Sequence, residues 1–435
     1  MATNGRSILI DGYNLSFGNG TGIATYARNL SVAAHEIGFD VNVLYGPRGF
    51  PNDPILREQA FYSESPIAPP LLSWMDKARR LIRNRPKAIR AQILDLAGTT
   101  ISRGHMDRLP YFDNILFADS LFDIATFNYY LYRKMQVVDP GFSVDIAHLT
   151  YPLPLRIKGA KNICTIHDLV PFRVPNATLG NKARLLSLLR DVTKTFDHIV
   201  TVSETSRQDI ITLLDVAPDK VTNTWQSVTL PIEAKSIPEE MVRQDIEGIY
   251  GLPYKGYFLF YGAIEPKKNV SRLIEAYACS GVSAPLVIAG KIGWSADGDI
   301  SAIDAFNRIS RPSGATIRRL DYVPRTLLIS LIRGAKAVLV PSLYEGFGLA
   351  ALEAMQLGTP VLTSTEGALP EIAADAALVI DPYDIRAIAS GIRALDTQEG
   401  LRADLVAKGH GRALEFSAEA YQRRLAAVYD KVLSE

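Results

Sequence analysis

One stretch constrains this chain more than any other: residues 337–363, AVLVPSLYEGFGLAALEAMQLGTPVLT. The apolar run from Ala337 to Val340 reads as a buried strand. A Pro-Ser turn and a Gly-punctuated loop follow, then a helix, then a second apolar strand beginning at Val361. A strand that hands over to a helix through small residues leaves the first backbone N–H groups of that helix without partners, and those groups suit an anion. Two carboxylates flank the spot, Glu345 before the helix and Glu353 within it. Carboxylates repel phosphate but bind hydroxyls well. Phosphate and hydroxyls together point to a sugar nucleotide.

The same strand–loop–helix grammar recurs along the chain. A strand over Ser7 to Ile10, the Gly18 to Gly22 loop, a helix from about Ile23 and a strand over Val41 to Tyr45 open the N-terminal part. Asn162 to Asp168 and His198 to Val202 continue it, with Ser203 suited to N-cap the next helix. A second series runs from Tyr257, with strands over Pro285 to Ala289, Thr316 to Leu320 and Ala377 to Ile380. At 435 residues the chain exceeds one ordinary core. The expected fold is therefore α/β, two doubly wound Rossmann-like units. The expected division is 1–225 for the N-terminal unit, 226–255 for a Pro-punctuated linker, 256–410 for the C-terminal unit, and a closing helix over 411–435 able to cross back. Residues 50–135 break the alternation and read as an insertion.

Several segments invite a ligand. Gly18, Gly20 and Gly22 allow close backbone approach, but the spacing is G-x-G-x-G and the second strand ends at Tyr45, where a dinucleotide fold would carry a ribose-binding acid. A loop for substrate or phosphate and a plain turn remain the two readings. The strand over Asn162 to Ile166 delivers His167 and Asp168 to its carboxyl end, the edge where open α/β sheets bind ligands. Lys267 and Lys268 sit in a loop between strand and helix, where cations can steady a diphosphate as it leaves; the plainer reading is a solvated surface pair. Asp297-Gly-Asp299 has the form of a metal motif, but its Gly- and Ser-rich surroundings favour a surface turn, and no zinc-like spacing occurs. No metal or other cofactor is expected.

Composition narrows the partners. A net charge of +1 gives no field for nucleic acid. Cys164 and Cys279 lie far apart, which suits a reducing compartment. No signal peptide and no membrane span are expected, so the location expected is cytoplasmic. Residues 73–90 interleave Arg79, Arg80, Arg83, Arg85 and Arg90 with Trp74, Leu81 and Ile82. That mixture suits peripheral contact with the anionic inner face of a membrane, or equally a solvated helical insertion.

Taken together, these segments resemble one family. Glu345 and Glu353 match the E-x7-E signature of retaining GT-B glycosyltransferases, specifically glycosyltransferase family 4. Pro341-Ser342, residues 354–360, the Gly18 to Gly22 loop, Thr165 to Asp168, Thr201 to Glu204, Gly262 to Asn269 and Tyr322-Val323 resemble the family in the same order. The resemblance implies two domains facing across a cleft, the N-terminal unit binding the acceptor and the C-terminal unit the nucleotide-sugar donor. It implies that Glu345 binds the donor sugar's hydroxyls and Glu353 the ribose diol. Backbone at Gly346, Phe347, Gly348, Leu349 and Ala350 would meet sugar and phosphates, and Lys268, with Lys267 beside it, the diphosphate. Val323 would lie against the base, His167 near the transferred carbon, and Gly20, Thr21 and Gly22 near acceptor and diphosphate. No protein nucleophile is implied. One departure is Ala263, where relatives carry arginine. The Glu-Pro-Lys-Lys-Asn and His-Asp-Leu-Val-Pro forms are similar to bacterial enzymes of O-antigen and capsule assembly, many of which move mannose or rhamnose from GDP-sugars to saccharide or lipid-linked acceptors. A UDP-sugar donor, a nucleotide-sugar hydrolase or epimerase, and a non-catalytic sugar-nucleotide binder are the alternatives. Oligomeric state is not legible.

Overall fold

The computed structural model describes residues 5–16, 22–47, 87–94, 109–177, 180–231, 234, 236–294, 297–308 and 314–435. Two large sheets organise them. The first orders its strands Val221–Asn223, His198–Thr201, Lys161–Thr165, Ile146–Leu149, Arg6–Asp11, Phe39–Tyr45, Asn114–Phe117 and Gln92–Ile93. Every pairing in it is parallel except the last. The second orders Ile317–Leu320, Leu286–Ala289, Phe258–Tyr261, Ala337–Val340, Val361–Ser364 and Leu378–Ile380, all parallel. Parallel strands must be covered on both faces, which explains why their runs are apolar without alternation. Ile8, Leu9, Ile10, Val338 and Leu339 are all fully buried. Each such side chain contributes about 1.5–3 kcal/mol relative to leaving it in water.

Both sheets reverse winding direction beside their first strand. In the first, strand order turns between Arg6–Asp11 and Ile146–Leu149; in the second, between Phe258–Tyr261 and Ala337–Val340. A crevice opens at the carboxyl ends of the strands at such a switch point, because the loops on either side run off in opposite directions. The helix Leu349–Gln356 and the 3-10 turn Pro266–Lys268 therefore flank one crevice. The loops after Asp11 and Leu149 flank the other.

The last helix, Ala418–Ser434, lies on the N-terminal unit against the helix Gly22–Glu36. Its Tyr429 hydroxyl meets His148 Nδ1 at 2.7 Å, and His148 Nε2 meets Thr165 Oγ1 at 2.8 Å. Burial holds His148 neutral, its pKa brought down to about 3. Arg6 and Asp430 add a surface ion pair at the same junction.

Three expectations change. Alternation is already restored by the strand Asn114–Phe117 and the helix Leu121–Tyr132, so residues 50–135 are not one insertion. Phe127, Tyr130 and Tyr132 on that helix mask its amphipathic pattern with exposed aromatics. Residues 226–255 are not a plain linker: Glu239–Gln244 is helical and continues through a wider π-helical turn, Asp245–Ile249. Buried Val242 and Ile246 and a Ser330 Oγ to Asp245 Oδ2 bond of 2.6 Å fix that segment to the C-terminal unit. Asp297–Arg308 is a helix, and buried Asp299 accepts from Ser271 Oγ, so Asp297-Gly-Asp299 is no surface turn. A short sheet of Ile89–Arg90, Gln136–Asp139 and Leu155–Ile157 has no counterpart in the sequence reading. Of the basic stretch 73–90, residues 73–86 lie outside the described residues, and exposed Arg90 ends a paired strand.

Candidate functional site

The C-terminal crevice gathers the charged residues. After the strand Ala337–Val340 the chain turns through Pro341-Ser342 and brings Glu345 to the crevice floor. Lys268, at the end of the Pro266–Lys268 turn, donates from Nζ to Glu345 Oε1 at 2.5 Å. Asn269 holds that turn in place: its backbone is left-handed (φ 63°), and its side-chain amide donates to the carbonyls of Pro341 and Pro382 at 3.0 and 2.8 Å. Burial alone would push the Glu345 carboxyl up. The charges of Lys268 and Lys267 more than offset that and bring it down to about 2. Lys267 is held protonated in return, chiefly by Glu345. Here a buried carboxylate stays ionised at neutral pH because two ammonium groups face it.

The helix Leu349–Gln356 starts at Gly348, whose backbone is left-handed (φ 113°) and which offers no side-chain cap. A Cβ at Gly348 would fall 2.8 Å from Leu369 Cδ2. Leu349 and Ala350 are half-buried, and the amides of this first turn carry the positive end of the helix dipole. One turn on, Glu353 accepts from the Tyr261 hydroxyl at 3.1 Å, and the same hydroxyl donates to the Ala350 carbonyl at 2.7 Å. Burial raises the Glu353 carboxyl, with Arg325 and Tyr261 pulling the other way. The two glutamates thus sit in opposite environments, one charged by neighbouring cations and one half-sheltered beside a phenol. Val323 is partly buried beside exposed Tyr322, just ahead of the helix Arg325–Gly334.

The N-terminal unit closes the crevice. His167 follows the strand Lys161–Thr165, and its Nε2 lies 2.9 Å from the Thr150 carbonyl. A carbonyl only accepts, so Nε2 carries the proton and Nδ1 is the acceptor. Burial lowers the His167 pKa, against the Thr150 bond and the Asp168 charge, and the ring rests edge-on to Tyr26 with centroids 4.7 Å apart. Asp168 touches the opposite unit. A Cβ at Gly346 would come within 2.6 Å of the Asp168 Cβ, so only glycine permits this approach. Ser206 Oγ reaches the Gly346 carbonyl at 3.4 Å, and Tyr344 donates to Asp209, which also receives Arg173.

Glu371 adds a contact that sequence reasoning missed. Its carboxylate accepts from Glu204 N at 2.8 Å, Thr205 N at 3.0 Å and Trp225 Nε1 at 2.6 Å. One unit thereby caps a helix of the other with an anion. Ser203, the expected N-cap of that helix, accepts from Ser206 N at 3.0 Å.

The structure thus brings His167, Lys267, Lys268, Glu345, Gly346, Gly348, Leu349, Ala350 and Glu353 around one crevice. Phe347 differs: its side chain is buried against Phe416, ring centroids 5.6 Å apart, so only its backbone faces the crevice loop. Gly20 and Thr21 lie outside the described residues. Gly22 begins its helix at the rim, and a Cβ there would lie 3.4 Å from Leu349 Cδ1. Tyr261, Arg325 and Glu371 gave no sequence signal, since each acts through a partner distant in sequence.

Comparison with known proteins agrees with this geometry. Residues 243–412 match the family described as glycosyl transferases group 1, and residues 100–222 match glycosyltransferase family 4. O-antigen chain mannosyltransferase B of Escherichia coli is 33% identical over 272 residues, 61% of this chain and 69% of that protein. The serotype-specific mannosyltransferase WbdA of Escherichia coli is 27% identical over 267 residues, 59% of this chain but only 32% of its own length. Sucrose-phosphate synthase from Thermosynechococcus elongatus superposes with a TM-score of 0.63 at 18% identity, covering 99% of both chains, which speaks for the fold alone. With two α/β units closed over a crevice that holds the E-x7-E pair, the chain belongs to glycosyltransferase family 4, the glycosyltransferases of GT-B fold.

Proposed function

We propose that this chain is a retaining hexosyltransferase that moves mannose, or a 6-deoxyhexose such as rhamnose, from a GDP-sugar to a glycan or lipid-linked saccharide in polysaccharide assembly. The observation that carries the reading is the ionised Glu345 beside Lys267, Lys268 and an uncapped helix start, with His167 opposite. The cations and helix amides take the diphosphate and stabilise the charge that develops as it leaves. Glu345 accepts from the sugar hydroxyls, and Glu353 accepts from the ribose diol. The acceptor oxygen bonds to the anomeric carbon on the face from which the diphosphate departs, and its proton passes to the departing phosphate oxygen. Because the departing phosphate takes that proton, the step uses no protein nucleophile, and neutral His167 can accept a hydrogen bond at Nδ1 from the sugar.

The mannosyltransferase relatives support the sugar and the setting. Lys267 and Lys268 supply the positive charge that a metal ion supplies elsewhere, so the reaction is metal-independent. None of the described helices is long and apolar enough to cross a membrane, and peripheral lipid contact through 73–90 belongs to the proposal as well. The test is a screen of GDP-, UDP- and dTDP-sugars, with and without EDTA, reading nucleotide release and product by mass spectrometry. Transfer from a GDP-sugar, indifferent to EDTA and giving the donor's anomeric configuration by NMR, is expected. Turnover only of UDP- or dTDP-sugars overturns the donor, and loss of turnover with EDTA overturns the metal-independent reading.

A further inference from the structure

The strand Phe258–Tyr261 ends at the switch point of the C-terminal sheet. Successive side chains of a strand alternate between its faces. Phe258 and Phe260 enter the core on one face. Leu259 and Tyr261 pack on the other, with Ala351, Leu352 and Met355 of the helix Leu349–Gln356. Packing thus holds the Tyr261 ring, and its hydroxyl reaches two groups one turn apart on that helix. They are the Ala350 carbonyl at 2.7 Å and Glu353 Oε2 at 3.1 Å. Burial and the nearby Glu353 charge push the Tyr261 phenol well above its ordinary range, so it keeps its proton and stays a donor. Glu353 Oε1 makes no hydrogen bond to any of the described residues. Arg325 attracts the same carboxylate from the start of the next helix.

A glutamate side chain has several rotamers, and ordering it on binding subtracts from affinity. Tyr261 fixes Oε2 before a ligand arrives and keeps the carboxylate from swinging to Arg325. Oε1 is left to accept from hydroxyl groups. We propose that Tyr261 is a positioning residue that sets a preference for ribonucleotides, by fixing Glu353 for the 2′- and 3′-hydroxyls of the nucleoside. Without its hydroxyl, a 2′-deoxy nucleotide is bound nearly as well as the ribonucleotide. The inference rests on the glycosyl-transfer reading, in which Glu353 accepts from the ribose diol. The bond to the Ala350 carbonyl ties the same phenol to the first turn of the helix, whose amides take the diphosphate in that reading. One side chain therefore holds the ribose and diphosphate contacts in register. Phenylalanine at this position keeps the ring and its packing and removes the donor alone.

Isothermal titration calorimetry of the full chain with GDP and with 2′-deoxy-GDP reads the preference directly. The wild type should bind GDP about tenfold or more tightly than 2′-deoxy-GDP, the usual effect of losing a hydrogen bond to a charged group. In Tyr261→Phe the ratio should fall to about threefold or less, through weaker GDP binding, with 2′-deoxy-GDP bound within about twofold of the wild type. In a Glu353→Ala background, Tyr261→Phe should change the ratio no further, because one residue acts through the other. A merely structural role would weaken both nucleotides alike in Tyr261→Phe. That result, or a ratio equal to that of the wild type, overturns the inference. If Glu353→Ala abolishes the preference while Tyr261→Phe keeps it, Glu353 reads the ribose unaided: the inference fails and the reading stands. If the wild type has no preference, or Glu353→Ala retains it, the ribose assignment of Glu353 fails and takes the inference with it. Circular dichroism and thermal melting identify a variant that fails to fold, and Tyr261→Leu, which also lacks the donor, then takes its place. If the wild type binds UDP and not GDP, UDP and 2′-deoxy-UDP are the pair that decides, and only the base in the reading has failed.

Discussion

On the C-terminal side of the cleft, two lysines press against one buried carboxylate and an uncapped helix points into the same space. On the N-terminal side, at the matching place in its own sheet, a neutral histidine borders a row of tyrosines and prolines. Both crevices arise from the same topology, a parallel sheet reversing beside its first strand. What differs is how each treats burial. The C-terminal crevice keeps Glu345 ionised against desolvation, while the N-terminal one lets burial win at His148 and His167. A charged, preorganised site suits a diphosphate. The asymmetry is the physical basis on which the proposal places the diphosphate on the C-terminal side.

The comparison breaks most sharply at Glu345. Glu345→Ala leaves Lys267 and Lys268 without their shared carboxylate and removes the sugar-hydroxyl acceptor. Turnover should drop on the order of 10³-fold while far-UV circular dichroism is unchanged. Acid acts on the same residue. The folded pKa of about 2 lies below the ordinary 4.5, so the unfolded chain binds the proton more readily. The stabilisation, roughly 3 kcal/mol, is present above pH 4.5 and lost as pH falls through 2. Urea midpoints measured over that window should fall less steeply with acid in Glu345→Gln than in the wild type.

Closure gives a smaller effect. Gly346→Val puts side-chain atoms where Asp168 sits, so the units must part and turnover should fall about a hundredfold, a 1 Å misplacement being enough for that. Small-angle scattering should show a larger radius of gyration. Smaller still is Glu371→Ala, which removes the acceptor shared by Glu204 N, Thr205 N and Trp225 Nε1 and should cost about 1–3 kcal/mol in urea unfolding. An unchanged midpoint would mean that the bridge contributes nothing to closure.

The C-terminal side was the more legible in sequence. Its strands are short apolar runs, its turn residues are glycines, and its charged residues cluster within the loops that carry them, so local pattern was enough for those strands and for Glu345, Lys267 and Lys268. The N-terminal side hid more. The strand Asn114–Phe117 has four residues and follows a stretch whose sequence shows no strand–helix alternation, and the helix Leu121–Tyr132 exposes aromatics where a polar face would be expected. The C-terminal side also concealed residues: Val242 and Ile246 read as linker because their packing partner is a helix some eighty residues on. Asp299 read as a turn because Gly and Ser surround it, yet burial against Ser271 decided its place. Glu371 and Tyr261 depend on contacts between distant segments, which no local pattern encodes.

Nucleotide binding in paired variants tests the division of labour most directly. GDP titrated into the wild type, Lys268→Ala and His167→Ala, followed by calorimetry alongside sugar transfer, separates the two sides. The account predicts that Lys268→Ala weakens GDP binding tenfold or more, whereas His167→Ala binds GDP as the wild type does and loses transfer. GDP binding indifferent to Lys268, or lost with His167, would contradict it.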